Sequence, residues 1–290
     1  MRWLLTSDLH QMANKWKLLV EAVKIEKPVW VFIAGDILPK DPFTLASQRD
    51  FFKHIQRYLD KMQTLGVAEV FTYLGNDDLH LNEKEFLRLE EWGYCRNMNQ
   101  QVHLVDGRVI AGMNKVRDYP FGYKHYCHPD GPHVVSPTQL TKPVTINPQG
   151  DWVPIHDLRE YLESKKPLGV LLDDLATKVG RNMDGSVWMI HQPPSLCGMD
   201  IIGSGEQVGS PTVLTFIERT QPLLTMHGHI HESPYMPNGQ WHKRVGRTHV
   251  IQPGQLGKVL HYVMAEVSDG KVYQLEWHNS RDVQPEVLRF

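Results

Sequence analysis

Cysteine is scarce in this sequence of 290 residues, and its three copies lie far apart, at Cys95, Cys127 and Cys197. No Cys-x-x-Cys pair occurs. These absences argue against a disulfide framework and against a zinc site built from thiolates. We therefore expect a reducing environment for the protein, and with it a cytoplasmic location.

A charge excess and long apolar runs are lacking as well. Lys and Arg number 31 against 33 Asp and Glu, which gives a formal net charge of −2. This balance argues against a nucleic-acid partner bound mainly through a basic surface. The longest apolar run, residues 29–34, is far shorter than the roughly 20 residues of a membrane helix. The sequence thus favours a small-molecule partner over a membrane or a nucleic acid, and it leaves the oligomeric state open.

Apolar patterning in the first part of the chain alternates between short buried strands and amphipathic helices. Strands are predicted at residues 2–7, 29–34 and 69–74, and helices at 15–26 and 48–65. The runs rich in β-branched and aromatic residues are typical of strands that are covered on both faces. Strand and helix in alternation indicate an α/β fold with a largely parallel sheet.

The rest of the chain adds a second β-rich half, so we predict one domain over residues 1–290. Asp106-Gly107 is a strong hairpin signal between two strands, and Ser210 with Pro211 marks the start of a helix. Residues 114–150 lack a clear period and are predicted to be a long loop or insertion. The other predicted elements are helices at 82–92, 156–165 and 168–179 and strands at 102–105, 108–112, 187–190, 223–226, 260–267 and 272–277.

Histidine is abundant, with 16 copies, and several of them lie in polar clusters directly after predicted strands. In open α/β sheets, ligands bind at the carboxyl ends of the strands. Along an extended chain, residues i and i+2 point to the same side, so Asp8 and His10 can direct two ligands to one place. Imidazole, carboxylate and amide groups suit Mn, Fe or Zn ions. The five clusters are Asp8-Leu9-His10, Gly35-Asp36, Gly75-Asn76-Asp77-Asp78, His191 and Gly228-His229-Ile230-His231.

In their order and spacing, these clusters resemble the motifs of calcineurin-like metallophosphoesterases over residues 8–231. The resemblance implies a four-layer α/β/β/α sandwich with two mixed β-sheets, as in metallo-dependent phosphatases. It also implies two divalent metal ions, with Mn as the first choice and Fe or Zn as the others. The implied ligands are Asp8, His10 and His231 for the first ion, Asn76, His191 and His229 for the second, and Asp36 as the bridge between them.

Two metal ions about 3.5–4 Å apart can hold a bridging hydroxide at neutral pH and can bind phosphoryl oxygens. We therefore expect that hydroxide to hydrolyse a phosphodiester or a phosphomonoester, with a nucleotide or another small molecule as the substrate. Asn76 is expected to contact the substrate as well. Two alternatives stay open, namely a metal- and nucleotide-binding protein with little turnover and a nuclease.

One residue departs from the family pattern, because Asp77 stands where the family has a catalytic histidine. In the family, that histidine helps to protonate the leaving oxygen. Adjacent carboxylates raise each other's pKa, so Asp77 and Asp78 could share a proton and act as the acid. Alternatively, His80 or a histidine of residues 114–150 supplies the proton. A third explanation is a substrate with a good leaving group, which needs no acid.

Basic and aromatic residues are interleaved in the 114–150 segment. Lys115 and Arg117 are predicted to contact the substrate. The segment could form a lid that binds a phosphate and stacks on a base, and a solvated loop is the alternative. The further residues of this predicted lid are Lys124, His125, His128, His133, Tyr119, Phe121, Tyr123 and Tyr126.

Overall fold

The computed structural model describes residues 1–11, 14–279 and 284–290. Within these residues, no helix is long and apolar enough to cross a membrane. The α-helices are α1 (Asn14–Glu26), α2 (Leu45–Thr64), α3 (Glu83–Glu91), α4 (Leu158–Glu163), α5 (Leu168–Val179) and α6 (Pro211–Thr220). The strands are β1 (Arg2–Thr6), β2 (Trp30–Ile33), β3 (Glu69–Thr72), β4 (Arg96–Asn97), β5 (Gln101–Val105), β6 (Arg108–Met113), β7 (Val116–Arg117), β8 (Cys127–His128), β9 (Val144–Ile146), β10 (Trp152–Pro154), β11 (Val187–Ile190), β12 (Leu224–Met226), β13 (His242–Val245), β14 (Thr248–Ile251), β15 (Tyr262–Ser268), β16 (Lys271–His278) and β17 (Glu286–Arg289).

Two mixed sheets form the centre of the molecule. The first sheet has the order β17-β16-β15-β1-β2-β3-β4, and the second has the order β13-β14-β12-β11-β6-β5. Strands β1, β2 and β3 are parallel, whereas β15 runs antiparallel to β1. In the second sheet, β6, β11, β12 and β14 are parallel neighbours. Each sheet therefore has a parallel centre whose strands all end at one edge.

Three apolar layers separate the sheets and helices. Between the two sheets, Trp3 stacks on Trp30 with ring centroids 5.3 Å apart, and Met189 of the second sheet belongs to the same cluster. Helices α1 and α2 cover the other face of the first sheet, and helices α5 and α6 cover the second sheet. Full burial of a large apolar side chain contributes roughly 1.5–3 kcal/mol. This layering confirms the predicted α/β/β/α sandwich.

Two local sequence signals produce the predicted geometry. Asp106 and Gly107 both have positive φ, at 48° and 75°, as the two-residue turn between β5 and β6 requires. At the start of α6, the backbone N–H of Val213 donates to Ser210 Oγ at 3.0 Å, and Pro211 occupies the first helical position. Both elements therefore form where turn and cap chemistry predict them.

The 114–150 segment is more ordered than a long loop. Strand β7 pairs with β8, and β9 pairs with β10 just beyond the segment. A buried ion pair joins Lys124 Nζ to Asp118 Oδ1 at 2.7 Å. Strands of two or three residues leave no period in a sequence, so patterning could not predict them. The short edge strands β4 and β17 likewise have no sequence signal.

Candidate metal centre

The predicted site residues follow strand ends in tight turns. Asp8 follows β1, Asp36 follows β2 and His229 follows β12, and their φ values are 54°, 52° and 71°. Residues other than glycine rarely adopt such positive φ values, and backbone strain of this kind often occurs at functional sites. After β3, Gly75 approaches Asp36 so closely that a Cβ on it would overlap the Asp36 backbone nitrogen. The turns thus bring polar side chains of both sheets together at one edge.

Asp8, His10 and His231 form the first group of candidate ligands. His231 Nε2 lies 3.5 Å from Asp8 Oδ1 and 3.2 Å from His10 Nε2. Asp8 and His10 are buried. One ligand atom of each residue lies within 4.8 Å of the other two. A single divalent ion could therefore contact all three side chains.

Asn76, His191 and His229 form the second group. His191 Nε2 and His229 Nδ1 lie 2.8 and 2.7 Å from the same atom, Asn76 Oδ1. Asn76 follows β3 of the first sheet, whereas the two histidines follow β11 and β12 of the second. An amide oxygen from the first sheet and two imidazole nitrogens from the second therefore meet at the same place.

Asp36 is within reach of both groups. Its Oδ2 lies 3.4 Å from His191 Nε2 and 4.0 Å from His10 Nε2. Its Oδ1 accepts a hydrogen bond from the backbone N–H of Asp77 at 2.8 Å. Because one oxygen is fixed by the backbone and the other faces both groups, the position suits a bridging ligand.

Two buried carboxylate oxygens show that the donor set fits metal ions. Among the described residues, Asp8 Oδ2 and Asp36 Oδ2 are buried without a hydrogen-bond partner. Burial of such an oxygen is costly unless a cation compensates its charge. The surrounding imidazole, carboxylate and amide donors suit divalent ions such as Mn, Fe and Zn. These Asp and His clusters could therefore bind metals.

Carboxylates and imidazoles compensate each other's charge in this cluster. Burial raises the pKa of Asp8, but its hydrogen bond to His231 and the charges of His231 and His191 lower it to about 2. Burial lowers the pKa of His191, but the charge of the Asp36 carboxylate, 3.4 Å away, raises it to about 9. Burial and then the charge of His191 lower the pKa of His229 to about 3. A protonated His191 therefore stands beside Asp36, and an ion bound there would have to displace its proton.

Contacts outside the two groups orient the candidate ligands. His191 Nδ1 lies 2.7 Å from the carbonyl oxygen of Ala34, which suits a proton on Nδ1 and leaves Nε2 for a ligand. The backbone N–H of His229 donates to Asp8 Oδ1 at 3.0 Å. The second sheet is thus tied to the turns after β1 and β2 of the first.

Asp77 and Asp78 have separate partners. Asp77 Oδ2 lies 2.5 Å from Lys40 Nζ and 3.8 Å from His10 Nδ1, so it borders the first group. The Asp78 carboxylate accepts three backbone hydrogen bonds, at 3.0, 2.8 and 2.8 Å, from Ile37, Leu38 and Gly75. The Asp78 carboxylate thereby joins the turns after β2 and β3. Burial, and then the charge of Asp36, raise the pKa of Asp78 well above its usual range, and the sharing of a proton with Asp77 stays a prediction.

His80 takes part in an aromatic stack rather than in either group. Its Nδ1 lies 2.8 Å from the hydroxyl oxygen of Tyr123, and its ring is parallel to that of His125 at 3.7 Å between centroids. Burial, and then the charges of Lys115 and Lys165, lower the pKa of His80. These contacts do not place His80 against a leaving group.

The two predicted substrate contacts differ in their surroundings. Lys115 is partly exposed, and its Nζ lies 4.8 Å from the centroid of the Tyr126 ring. The Arg117 guanidinium donates to the carbonyl oxygen of Gly209 at 2.8 Å, and its backbone N–H donates to Gln192 Oε1. Arg117 therefore links β7 to the chain between β11 and α6, and its substrate contact stays a prediction.

Most of the predicted lid packs into the protein. Tyr119, Tyr123, Lys124 and Tyr126 are buried, whereas Phe121 is exposed. Lys124 is held by Asp118 and by the carbonyl oxygen of Tyr119. His128 Nδ1 lies 2.8 Å from the carbonyl oxygen of Lys166, and His133 is exposed. These residues therefore do not form a loose loop over the site.

Two further residues lie near the groups, namely Lys40, which no sequence motif marks, and Tyr119, which belongs to the predicted lid. Lys40 contacts Asp77, and its side chain is 47% exposed. The ring of Tyr119 lies 5.4 Å from that of His229, and its hydroxyl donates to the carbonyl oxygen of Tyr123 at 2.5 Å. Only the folded chain brings these residues to the site, although the sequence does show a lysine and a tyrosine near the relevant strand ends.

The chain belongs to the calcineurin-like phosphoesterase family. The sequence profile of that family matches residues 1–233, which include every residue of both groups. No curated protein matches the sequence significantly. The resemblance seen in the motifs is thus confirmed.

Solved structures share the fold at low sequence identity. The protein TT1561 of Thermus thermophilus has a TM-score of 0.59 and 16% identity, covering 96% of this chain and 98% of its own. A dimetal phosphatase of Danio rerio has a TM-score of 0.53 and 12% identity, covering 100% of this chain and 98% of its own. GAP50, described as the anchor in the inner membrane complex of Plasmodium, has a TM-score of 0.50 and 12% identity, covering 100% and 88%.

Proposed function

We propose that this chain uses two divalent metal ions to hydrolyse a phosphodiester or a phosphomonoester of a small molecule, such as a nucleotide. The observation that supports this proposal most is the position of Asp36, whose buried Oδ2 lies 3.4 Å from His191 Nε2 and 4.0 Å from His10 Nε2 and so faces both groups. In this proposal, Asp36 bridges the ions and Mn is the first metal to test. The first ion is held by Asp8, His10 and His231, and the second by Asn76, His191 and His229.

When bound, the two ions would lower the pKa of an attacking water molecule and neutralise charge on the phosphoryl oxygens. The chain itself supplies fixed geometry. The Ala34 carbonyl orients His191, and the Asp8 carboxylate fixes the backbone of His229. Asn76 Oδ1 lies within 2.8 Å of two imidazoles, which supports its proposed role as a ligand of the second ion. Lys115, which lies between β6 and β7 and is partly exposed, remains a proposed substrate contact.

A binding protein with little turnover is the second candidate. It is favoured by Asp77, which replaces the family's histidine, and by the presence of the same fold in the anchor protein GAP50. At 12% identity, that likeness concerns the fold alone, and fold does not decide function. The formal net charge of −2 gives the nuclease alternative no support.

The test uses protein stripped of metal by a chelator and then reloaded with Mn. Hydrolysis of bis-p-nitrophenyl phosphate and of p-nitrophenyl phosphate is measured before and after reloading. We expect turnover only after reloading, and the ratio of the two rates distinguishes a diesterase from a monoesterase.

A matched control is Asp50→Asn, on the exposed face of α2, which should behave as the wild type. Uptake of two Mn equivalents with no hydrolysis of either ester would contradict the hydrolase and favour the binding protein. Both substrates have good leaving groups, so a missing acid could not explain that result.

A further inference from the structure

Lys40 and Asp77 form an ion pair at the opening of the metal centre. Lys40 lies in the turn after β2, and its Nζ is 2.5 Å from Asp77 Oδ2. Surface pairs of this kind typically contribute roughly 0–1 kcal/mol to stability. The position of this pair beside the candidate ligands suggests a function other than stability.

The carboxylate of Asp77 places the Lys40 ammonium next to the candidate ligands. Ligand atoms of His10, Asp36 and Asp77 all lie within 4.8 Å of one another. The Lys40 ammonium, bound to the same Asp77 oxygen that faces His10, is therefore separated from the first group by one carboxylate.

Buried contacts hold the backbone on both sides of the pair. Gln48 is fully buried, and its Nε2 donates to the carbonyl oxygens of Pro39 and Asp77, at 3.1 and 2.9 Å. The backbone N–H of Lys40 donates to the carbonyl oxygen of His10 at 3.3 Å. The Gln48 side chain thus holds the backbone of Pro39 and that of Asp77 together, and with them the relative position of Lys40 and Asp77.

The ammonium also has donors to spare. In the part of the chain that the structure describes, Asp77 is the hydrogen-bond partner of Nζ, and no second one occurs. The Lys40 side chain is 47% exposed, whereas that of Asp77 is 12% exposed. Two N–H groups can therefore meet a molecule that enters from the solvent.

Two other candidates for the missing histidine, Asp78 and His80, have partners of their own. Asp78 accepts three backbone hydrogen bonds. His80 contacts Tyr123 and stacks on His125. Within the described residues, this leaves Lys40 as the cation that contacts the position where the family has its histidine.

We propose that Lys40 is a catalytic residue that donates a hydrogen bond to the leaving-group oxygen of the phosphate ester, and that Asp77 is its positioning residue. This inference rests on the proposed phosphoesterase function. A bond forms from the oxygen of water to phosphorus while the bond from phosphorus to the leaving oxygen breaks. The electron pair of the broken bond goes to the leaving oxygen, which Lys40 stabilises without losing its proton. Solvent water then protonates the departed oxygen, and the proton of the attacking water goes to the solvent.

The test compares leaving groups in Lys40→Met, Lys40→Arg and Asp77→Asn. The substrates are aryl methyl phosphates whose leaving phenols range from p-nitrophenol to unsubstituted phenol. In Lys40→Met, kcat for phenol release should fall about 10²–10³-fold, the cost of removing one transition-state donor. The fall for p-nitrophenol release should be far smaller, and KM should change little.

The other variants separate a catalytic role from a structural one. Lys40→Arg should recover part of the loss, and Asp77→Asn should show the same leaving-group trend with a smaller loss. Lys166→Met is the matched control, because Lys166 forms an ion pair with Asp174 at 3.1 Å, with side chains 65% and 52% exposed. Equal losses for all leaving groups in Lys40→Met, or a fall in its Mn content, would overturn the proposal.

A binding measurement keeps the proposal separate from the proposed function. Inorganic phosphate, one of whose oxygens can take the place of the leaving oxygen, is titrated into Mn-loaded protein by calorimetry. Lys40→Met should bind phosphate about tenfold or more weakly than the wild type, as expected for loss of a charged hydrogen bond. A wild type that hydrolyses no ester would refute the proposed function, while equal phosphate affinities would refute the role of Lys40.

Discussion

The two sheets contribute different chemistry to the same site. The turns after β1, β2 and β3 supply mainly oxygen atoms, from Asp8, Asp36 and Asn76, with one imidazole from His10. The turns after β11 and β12 supply imidazoles alone. Neither sheet alone supplies all the oxygen and imidazole ligands of the two groups.

This division explains why the metal-free chain can hold so many buried acids. Imidazoles of the second sheet lie against carboxylates of the first, with His191 Nε2 3.4 Å from Asp36 Oδ2 and His231 Nε2 3.5 Å from Asp8 Oδ1. A bound ion would replace protons on the second sheet while keeping the acids of the first ionised. The sheets would thus have opposite roles on metal binding, with the first carrying the negative charge and the second giving up protons.

The largest effect is expected from Asp36→Asn, which removes the residue that contacts both groups. Both ions should bind more weakly, and turnover should fall by more than the roughly 10²–10³-fold cost of losing one transition-state donor. Metal content by mass spectrometry and hydrolysis of bis-p-nitrophenyl phosphate measure the two effects. Unchanged Mn stoichiometry would contradict the bridging role, and Asp50→Asn is the control for the lost charge.

Next in size is the contrast between His191→Ala in the second sheet and His10→Ala in the first. Each variant should lose one metal equivalent, with affinity at the weakened site falling well beyond the roughly 10–100-fold loss typical of outer-shell changes. Equilibrium dialysis against Mn gives the stoichiometry. His227→Ala is a useful comparison, because His227 is buried with its nitrogens near the Ile190 and Gln192 carbonyl oxygens and the Thr225 hydroxyl. It should lower stability and keep two equivalents, so loss of metal in all three variants would refute the assignment.

Metal binding should also stabilise the contact between the sheets. At a free Mn concentration 100 times Kd, the gain is about 2.7 kcal/mol per site, which raises Tm by about 4 °C for one site and about 9 °C for two in a chain of this size. Thermal unfolding with Mn and with a chelator measures the shift. Asp36→Asn should show a much smaller one, and an equal shift in that variant would place the stabilising ions elsewhere.

The smallest predicted effect is the release of protons on Mn binding, which distinguishes the histidines of the second sheet from the carboxylates of the first. In the metal-free protein the pKa of His191 is raised to about 9, so this histidine is protonated at pH 7, whereas Asp8, with a pKa of about 2, is ionised. Burial lowers the pKa of His231, but its hydrogen bond to Asp8 raises it above the usual value. Mn binding at pH 7 should therefore release about one proton from His191 and a further fraction from His231, and affinity should rise about tenfold or more per pH unit up to pH 9 or so. Calorimetry in buffers of different ionisation enthalpy counts the protons. Affinity independent of pH would contradict this account.

Much of the site could be predicted from the sequence because it lies at strand ends. Asp8, Asp36, Asn76, His191 and His229 each follow a short, buried apolar run. Parallel strands that end at one edge bring such residues together without any further information. The fold was predictable for the same reason, since the strands and helices that form the layers have clear periods.

The rest of the site depends on tertiary packing that leaves no sequence pattern. Lys40 comes after Pro39 in an irregular turn, and Gln48 on α2 helps to hold that turn beside Asp77. The stack of His80 on His125 joins residues 45 positions apart in the chain. Asp78 has the position of an acid in the motif, yet backbone donors that follow β2 occupy it.

In the proposed site, two ions share Asp36 at the junction of the sheets. Titration of metal-free protein with Mn, followed by electron paramagnetic resonance, tests it most directly and needs no substrate. We expect two equivalents to bind and the second to convert an isolated Mn spectrum into that of an exchange-coupled pair, with no such conversion in Asp36→Asn. A single equivalent, or two Mn ions whose spectra remain isolated, would contradict the account.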